Sequence, residues 1–225
     1  MRGACRRLMS YPRESDRIQG GSALIMDYFF TEEQQFMRDV AREIAEKKIR
    51  PVAAHYDETG EFPWPEVKAM AEADLFRVFI DEKYEGMSGG TPIMNMCIVT
   101  EELSKACGGI SLAFAATGLG TMPILISGSE EQKEKYLPKI ASGTLAAFAL
   151  TEANAGSDAS GIQTRAVEDG DSFILNGTKQ WITNGGEAEI YTVFAVTDPE
   201  RGARGVSAFI VEKDTPGFTF GKKED

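Results

Sequence analysis

The chain has 225 residues, 42% hydrophobic and 26% charged, a composition typical of a soluble globular protein with one large or two small domains. Its formal net charge of -11 argues against a nucleic-acid partner, because neutralising phosphates requires clustered Lys and Arg. Three cysteines and a single histidine, His55, provide neither a disulfide framework nor metal-ligand spacing, so we expect a reducing compartment and no metal site. We expect no membrane span, and residues 110–126, the most apolar zone, are interpreted as part of a buried helix.

Residues 1–25 differ from the rest of the chain. They are rich in arginine, show no apolar period and end in a Gly20-Gly21-Ser22 break before Met26. They lack the apolar region of a secretory signal. We interpret them as a disordered extension or the product of a mis-assigned start, with a weak organelle transit peptide as the alternative. The predicted location is therefore cytoplasmic, with the mitochondrial matrix as the alternative.

Helical signals fill residues 26–142. Thr31 with Gln34, and Ser129 with Gln132, each predict a capping box at the start of a helix. The first helix is predicted to run to Pro51 and to bury one apolar stripe: Phe36, Met37, Val40, Ala41 and Ile44. Further helices are predicted after Pro65, from Pro92 to Gly108, and over residues 110–127.

Residues 143–225 have the composition of β-strands. Apolar and β-branched runs occupy residues 145–150, 173–175, 190–196 and 206–211. Asp169-Gly170 and Asn176-Gly177 predict hairpin turns. The order of elements therefore predicts an α+β fold, in which an N-terminal all-helical domain (26–142) precedes an antiparallel β-sheet or barrel domain (143–225).

Two segments of the β region carry residues suited to a dinucleotide. In the loop after the first predicted strand, Gly156 lets the backbone approach a phosphate and Ser157 offers a hydroxyl and an N–H. Trp181 and Thr183 are predicted to lie on alternate positions of a strand, on one face, with Ile182 on the other. An aromatic ring beside a hydroxyl suits packing against a flavin. The alternatives are that the loop is a plain turn and that Trp181 is a core aromatic.

Four linked motifs in this order resemble acyl-CoA dehydrogenases. They are Thr-Glu-Glu-Gln-Gln at 31–35, Thr-Glu-x-x-x-Gly-Ser-Asp at 151–158, Asn-Gly-x-Lys-x-Trp-Ile-Thr-Asn-Gly at 176–185, and Pro216-Gly217 leading to residues 221–225. The resemblance covers about residues 26–225 and is strongest to the short-chain, butyryl-CoA-type members. It implies FAD as the cofactor.

The resemblance also implies roles for individual residues. Thr151 is expected to meet the pyrimidine side of the flavin, with backbone contacts from Phe148 and Leu150. Gly156 and Ser157 are expected to meet the FAD pyrophosphate, and Ser157 also the CoA part of the substrate. In the segment Trp181, Ile182 and Thr183, the indole is expected to flank the flavin ring and the Thr183 hydroxyl to bond near flavin N5.

The activity implied by the resemblance is α,β-dehydrogenation of a short-chain acyl-CoA in fatty acid β-oxidation. A glutamate removes the pro-R α-proton, the β-hydride passes to flavin N5, and an electron-transfer flavoprotein takes the electrons. The family's base lies in a C-terminal helical domain, so it is expected beyond Asp225, with no catalytic residue inside this chain. Glu101 and Glu102 have ordinary surface spacing on a helix, and Glu152 belongs to the flavin loop.

The chain is accordingly interpreted as a dehydrogenase fragment whose full-length form is a homo-oligomer, and which binds FAD poorly by itself. Two alternatives stay open at this point. One is an acyl-CoA oxidase or flavin monooxygenase on the same scaffold. The other is a non-catalytic binding or assembly relic.

Overall fold

The structure, a computed structural model, describes residues 30–223; the predictions for residues 1–25 lie outside this range. Within it, α-helices precede β-strands, which confirms the predicted α+β order. The helices are α1 (Glu32–Ile44), α2 (Ala53–Thr59), α3 (Trp64–Glu72), α4 (Pro92–Ala106), α5 (Gly108–Ser127) and α6 (Glu130–Ala141). The strands are β1 (Ala146–Ala149), β2 (Arg165–Asp169), β3 (Ser172–Asn176), β4 (Ile190–Val196) and β5 (Val206–Glu212).

Capping boxes begin α1 and α6, as predicted. The Thr31 hydroxyl accepts from the Gln34 N–H at 3.2 Å, and the Gln34 side chain accepts from the Thr31 N–H at 3.1 Å. Ser129 and Gln132 form the same reciprocal pair at 3.2 and 2.9 Å. Each pair satisfies two N–H groups that the first helical turn leaves without partners.

The first helix differs from the prediction at Phe36, which is 72% exposed and lies outside the buried stripe. A polar group adds to the contact of α1 with α4, because the buried Gln34 side chain donates to Asn95 Oδ1 at 3.1 Å. Beyond Ile44 the helix continues as a π-helical turn, Ala45–Ile49.

The prediction that Glu102 lies at the surface is wrong, since this residue is only 3% exposed. Arg42 on α1 donates to its carboxylate at 3.0 and 3.1 Å, and Lys105 donates at 2.8 Å. These two cations compensate the buried charge.

Helix α5 packs directly on β1. A Cβ atom built on Gly120 would lie 2.8 Å from the backbone N of Ala147, so only glycine permits this approach. Thr192 on β4 donates its hydroxyl to the Gly120 carbonyl at 2.7 Å. Among the described residues, α5 is the one helix whose length and mean hydropathy of 1.7 are sufficient to cross a membrane, but most of that window is buried inside the protein. Its packing identifies it as a core helix.

The sheet is mixed. Its strand order is β1-β4-β2-β3, and β5 pairs with β4. Strands β2–β3 and β4–β5 are antiparallel, whereas β4 runs parallel to β1 and, at one residue pair, to β2. The prediction of an antiparallel sheet is therefore wrong for β1, because the long connection through residues 150–189 allows a parallel crossover.

The two predicted turns behave differently. Gly170, with φ of 60°, joins β2 to β3 in the expected hairpin. Asn176-Gly177 does not form a hairpin. A Cβ on Gly177 would lie 2.3 Å from the Thr164 hydroxyl. This glycine therefore allows the main chain after β3 to pass close to Thr164.

One apolar core runs through the helices and the sheet. Phe114 on α5 contacts the rings of Phe76 and Phe79, and the same core includes Leu145 and Tyr191. Because both parts share this core, the domain boundary at residues 142/143 stays a prediction.

Candidate functional site

Residues 150–157, which we call the hydroxyl loop, follow the end of β1. Glu152 and Ala155 exchange two backbone hydrogen bonds of 3.1 Å, and this tight turn leaves Gly156 and Ser157 exposed on its far side. A Cβ built on Gly156 meets nothing within 4 Å. The outer surface of the loop is therefore open to a ligand that approaches the backbone closely.

The Glu152 side chain points inwards and is 8% exposed. Its carboxylate accepts from the Gln163 N–H at 2.6 Å, from the Thr164 N–H and hydroxyl at 3.0 and 2.5 Å, and from Lys179 Nζ at 2.7 Å. Lys179 Nζ also donates to the Leu150 carbonyl at 3.0 Å. This buried pair ties the hydroxyl loop to the segment that follows Gly177.

These contacts determine the charge of Glu152. Burial alone would raise the pKa of its carboxyl, but the hydrogen bonds from Lys179, Thr164 and Gln163 outweigh burial and lower the pKa to about 2. Burial lowers the pKa of Lys179, and its bond to Glu152 partly offsets this effect. At neutral pH Glu152 is therefore an anion in direct contact with Lys179 Nζ.

Residues 179–184, which we call the arch, do not form the predicted strand. Trp181 has φ of 59°, a left-handed conformation that costs a bulky residue about 1–3 kcal/mol. The alternation that would place Trp181 and Thr183 on one strand face is therefore absent. Both residues are nevertheless exposed, Trp181 by 63%, while Ile182 packs against the core.

The end of the arch is fixed by Asn184, which is 6% exposed and has φ of 65°. Its Nδ2 lies within hydrogen-bond distance of the Ala113 carbonyl (3.1 Å), the Thr117 hydroxyl (3.2 Å) and the Ala146 carbonyl (3.2 Å). Its Oδ1 is buried without a hydrogen-bond partner. Asn184 thus joins the arch to both α5 and β1.

The arch follows the outer edge of β1, the edge opposite β4. Leu145 accepts from Ile190 of β4, whereas the Ala146 N–H donates to Thr117 and its carbonyl accepts from Asn184. Alternate residues of a strand direct their N–H and C=O groups to the same edge, so those of Phe148 also face outwards. No residue of the described range 30–223 hydrogen-bonds to Phe148 on this edge.

Three hydroxyl groups of the hydroxyl loop and the arch are also available. The side chains of Thr151, Ser157 and Thr183 form no hydrogen bond within the described part of the chain. The Thr151 carbonyl accepts from the Gln180 N–H at 2.9 Å, so the hydroxyl loop and the arch meet at this point. Open hydroxyls, an open peptide and an exposed indole fit a planar, hydrogen-bonding ligand such as a dinucleotide. Among residues 30–223, no cluster of His, Cys, Asp and Glu could hold a metal.

The structure brings some sequence-predicted residues together and adds others. Thr151 meets the start of the arch, and the half-buried Phe148 ring packs on Phe194 with centroids 4.8 Å apart. The Leu150 carbonyl is occupied by Lys179. Sequence reasoning missed the supporting roles of Lys179 and Asn184. The available signals were a lysine between two uncharged segments and an asparagine before Gly185-Gly186.

The fold and the site together define an α+β protein with a strand edge that is open to a ligand. Two family profiles match the chain: acyl-CoA dehydrogenase, N-terminal domain, over residues 31–144, and acyl-CoA dehydrogenase, middle domain, over residues 147–225. The chain belongs to the acyl-CoA dehydrogenase family.

Curated relatives agree with this assignment. A probable acyl-CoA dehydrogenase, FadE25, of Mycobacterium tuberculosis is 48% identical over 194 residues, which are 86% of this chain and 49% of the relative. A short-chain-specific acyl-CoA dehydrogenase of Clostridium acetobutylicum is 43% identical over 201 residues, 88% of this chain and 52% of the relative. The chain thus spans about half the length of these relatives.

Solved structures share the fold. Butyryl-CoA dehydrogenase from Megasphaera elsdenii superposes with a TM-score of 0.83 at 41% identity, covering 89% of this chain and 53% of that one. A structure described as the electron transferring flavoprotein of Acidaminococcus fermentans contains a chain with a TM-score of 0.83 at 45% identity, covering 89% and 53%. An acyl-CoA dehydrogenase from Bacillus anthracis complexed with FAD gives 0.78 at 34%, covering 88% and 34%.

Proposed function

We propose that the arch and the hydroxyl loop bind FAD, and that the chain is the flavin-facing part of a dehydrogenase that forms the α,β double bond of a short-chain acyl-CoA. The observation that carries this proposal is the outer edge of β1, where the Phe148 N–H and C=O have no hydrogen-bond partner among residues 30–223 and the arch that follows this edge exposes Trp181. Family membership and the FAD complex of the Bacillus anthracis enzyme support it.

Each open group has a proposed role. The Trp181 indole packs against the flavin ring beside Ile182, and the Thr183 hydroxyl donates near N5. The Thr151 hydroxyl and the backbone of Phe148 and Leu150 contact the pyrimidine side of the flavin ring. Since Lys179 already occupies the Leu150 carbonyl, Phe148 provides the main backbone contact.

At the other end of the loop, the N–H of Gly156 and the hydroxyl of Ser157 meet the pyrophosphate, and Ser157 also contacts the CoA portion of the substrate. When bound, FAD supplies the hydride-accepting centre that amino-acid side chains lack. The chain supplies orientation and hydrogen-bond donors.

Glu152 is not the base in this proposal. A general base works best with a pKa near the operating pH, whereas Glu152 has a pKa of about 2 and is buried behind the loop. We therefore assign proton removal to a carboxylate outside the hydroxyl loop and the arch.

The substrate and partner proposals have separate support. The Clostridium acetobutylicum relative is named as short-chain specific, and the Megasphaera elsdenii structure is a butyryl-CoA dehydrogenase, which favours a short acyl chain. The Acidaminococcus fermentans structure favours an electron-transfer flavoprotein as electron acceptor. Exposed Leu112, Leu119 and Ile126 on one face of α5 favour a homo-oligomer, and unpaired Cys97 and Cys107 favour a reducing cytoplasmic location.

An absorbance titration with FAD tests the proposal. We expect weak, saturable binding of one FAD per chain to the wild-type protein and weaker binding to Thr183→Val, which removes the hydroxyl at nearly constant volume. Thr197→Val is the matched control, because Thr197 lies at the far end of β4 and bonds to Ser207. Absence of saturable binding, or equal loss in both variants, would contradict the assignment of the site.

A second titration tests the assignment of the base. Anaerobic addition of butyryl-CoA to the FAD-loaded chain should shift the flavin spectrum without bleaching it. Bleaching by the 225-residue chain that is lost in Glu152→Gln would place the base in the hydroxyl loop and would overturn that assignment.

A further inference from the structure

Besides one main-chain hydrogen bond, from the Gln180 N–H to the Thr151 carbonyl just beyond β1, the arch is held at two points by side chains rather than by pairing along β1. At its start, Lys179 Nζ donates to the Leu150 carbonyl and to Glu152, and at its end Asn184 Nδ2 donates to the Ala146 carbonyl. Leu150 and Ala146 lie two residues on either side of Phe148. The two anchors therefore bracket the peptide that has no protein partner.

This arrangement keeps the arch away from β1. The open edge of a strand pairs readily with an extended chain beside it. Here both anchoring donors are at the ends of side chains, which reach farther from the main chain than a backbone N–H does. The main chain of the arch therefore stands farther from β1 than a paired strand would. The Phe148 N–H and C=O stay open as a result.

The arch contains two left-handed residues: Trp181, which lies between the anchors, and Asn184, which is itself an anchor. A bulky residue keeps such a conformation only where its surroundings impose it. Asn184 is also held by α5, through the Ala113 carbonyl and the Thr117 hydroxyl. Its buried Nδ2 must face these two groups and the Ala146 carbonyl, because all three can accept a hydrogen bond.

We infer that Lys179 and Asn184 are positioning residues that hold the arch off the edge of β1, so that Trp181, Thr183 and the Phe148 peptide are presented together to the flavin. This inference rests on the proposed function for the identity of the ligand. The preorganisation itself is a property of the chain without ligand.

Four variants distinguish the effect of the anchoring side chains from that of the backbone conformation. All are made in a Trp64→Phe background, which leaves Trp181 as the single tryptophan. Asn184→Gly keeps the left-handed backbone accessible and removes the amide. Lys179→Met keeps the aliphatic stem and removes the ammonium, while Lys179→Arg retains the charge. Asn95→Ala is the control, because this buried amide also bridges two backbone carbonyls, of Val78 and Ser88, away from the arch.

The readouts are the fluorescence anisotropy of Trp181 without FAD, the Kd for FAD, and the urea midpoint. We expect lower anisotropy and about tenfold weaker FAD binding in Asn184→Gly and Lys179→Met, as when the competent fraction of the arch falls to about a tenth. Lys179→Arg should recover most of the affinity. Asn95→Ala should lower the urea midpoint without changing anisotropy or Kd.

Unchanged anisotropy in both anchor variants, or Kd changes no larger than in Asn95→Ala, would overturn the inference. If the parent chain does not bind FAD, the proposed function fails separately, and the anisotropy without ligand still decides whether the anchors order the arch. If Asn184→Gly does not fold, the Lys179 pair of variants decides alone.

Discussion

Replacing Glu152 by Gln tests the buried ion pair quantitatively. The substitution keeps the shape of the side chain but removes the charge that faces Lys179. A shift of the Glu152 pKa from 4.5 to about 2 corresponds to about 3 kcal/mol, at about 1.4 kcal/mol per pKa unit. The buried Lys179 ammonium offsets part of this gain, because its pKa is lowered by burial.

The sign of the pH dependence follows from the lowered pKa of Glu152. Its stabilisation is fully present above pH 4.5, the ordinary value, and is lost as the pH falls towards 2, where the folded protein also takes up the proton. The wild type should therefore exceed Glu152→Gln in unfolding free energy by at most about 3 kcal/mol near neutral pH, with the difference shrinking through this acid window.

Urea unfolding followed by circular dichroism, repeated at stepwise lower pH, measures this difference. The control is Glu43→Gln, which removes an exposed carboxylate whose partner is the exposed Lys47 and should give a curve parallel to the wild type. A Glu152→Gln difference that is below about 1 kcal/mol, the scale of an exposed pair, or that does not change with pH, would refute the reasoning.

Three further substitutions test other contacts by urea unfolding. Gly120→Ala places a Cβ 2.8 Å from Ala147 and should lower the unfolding free energy by about 1–3 kcal/mol, whereas Gly108→Ala meets no atom within 4 Å and should not lower it. Ser129→Ala removes the capping box of α6 and should cost about 1 kcal/mol, and no loss would contradict the cap. Glu102→Gln loses its charged bonds to α1 and α4 and should cost about 1.5–3 kcal/mol. The Glu102 difference should shrink in acid, because its cationic partners outweigh burial and lower its pKa.

Features built from neighbouring residues were predictable from the sequence. The capping boxes of Thr31 and Ser129 need only a partner three residues away, and the turn at Gly170 needs only its own left-handed backbone. Strand β4 was also predicted, because a run of apolar and β-branched residues is typical of a buried strand.

Features that depend on distant partners were not predictable in the same way. The amide of Asn184 meets Ala113, 71 positions earlier, and the carboxylate of Glu152 meets Lys179, 27 positions later. Residue types alone do not reveal these pairings, nor that β1 runs parallel to β4. The left-handed Trp181 was missed for the same reason, since the groups that Lys179 and Asn184 contact on either side of it are remote in sequence.

The proposed FAD site requires that Trp181 on the arch contact the cofactor. The most direct measurement is a fluorescence titration of the Trp64→Phe chain with FAD, in which Trp181 is the only tryptophan. Saturable quenching of Trp181 at one FAD per chain, lost in parallel with binding in Thr183→Val, is the predicted result. FAD binding that leaves the Trp181 emission unchanged would place the cofactor elsewhere and contradict the account.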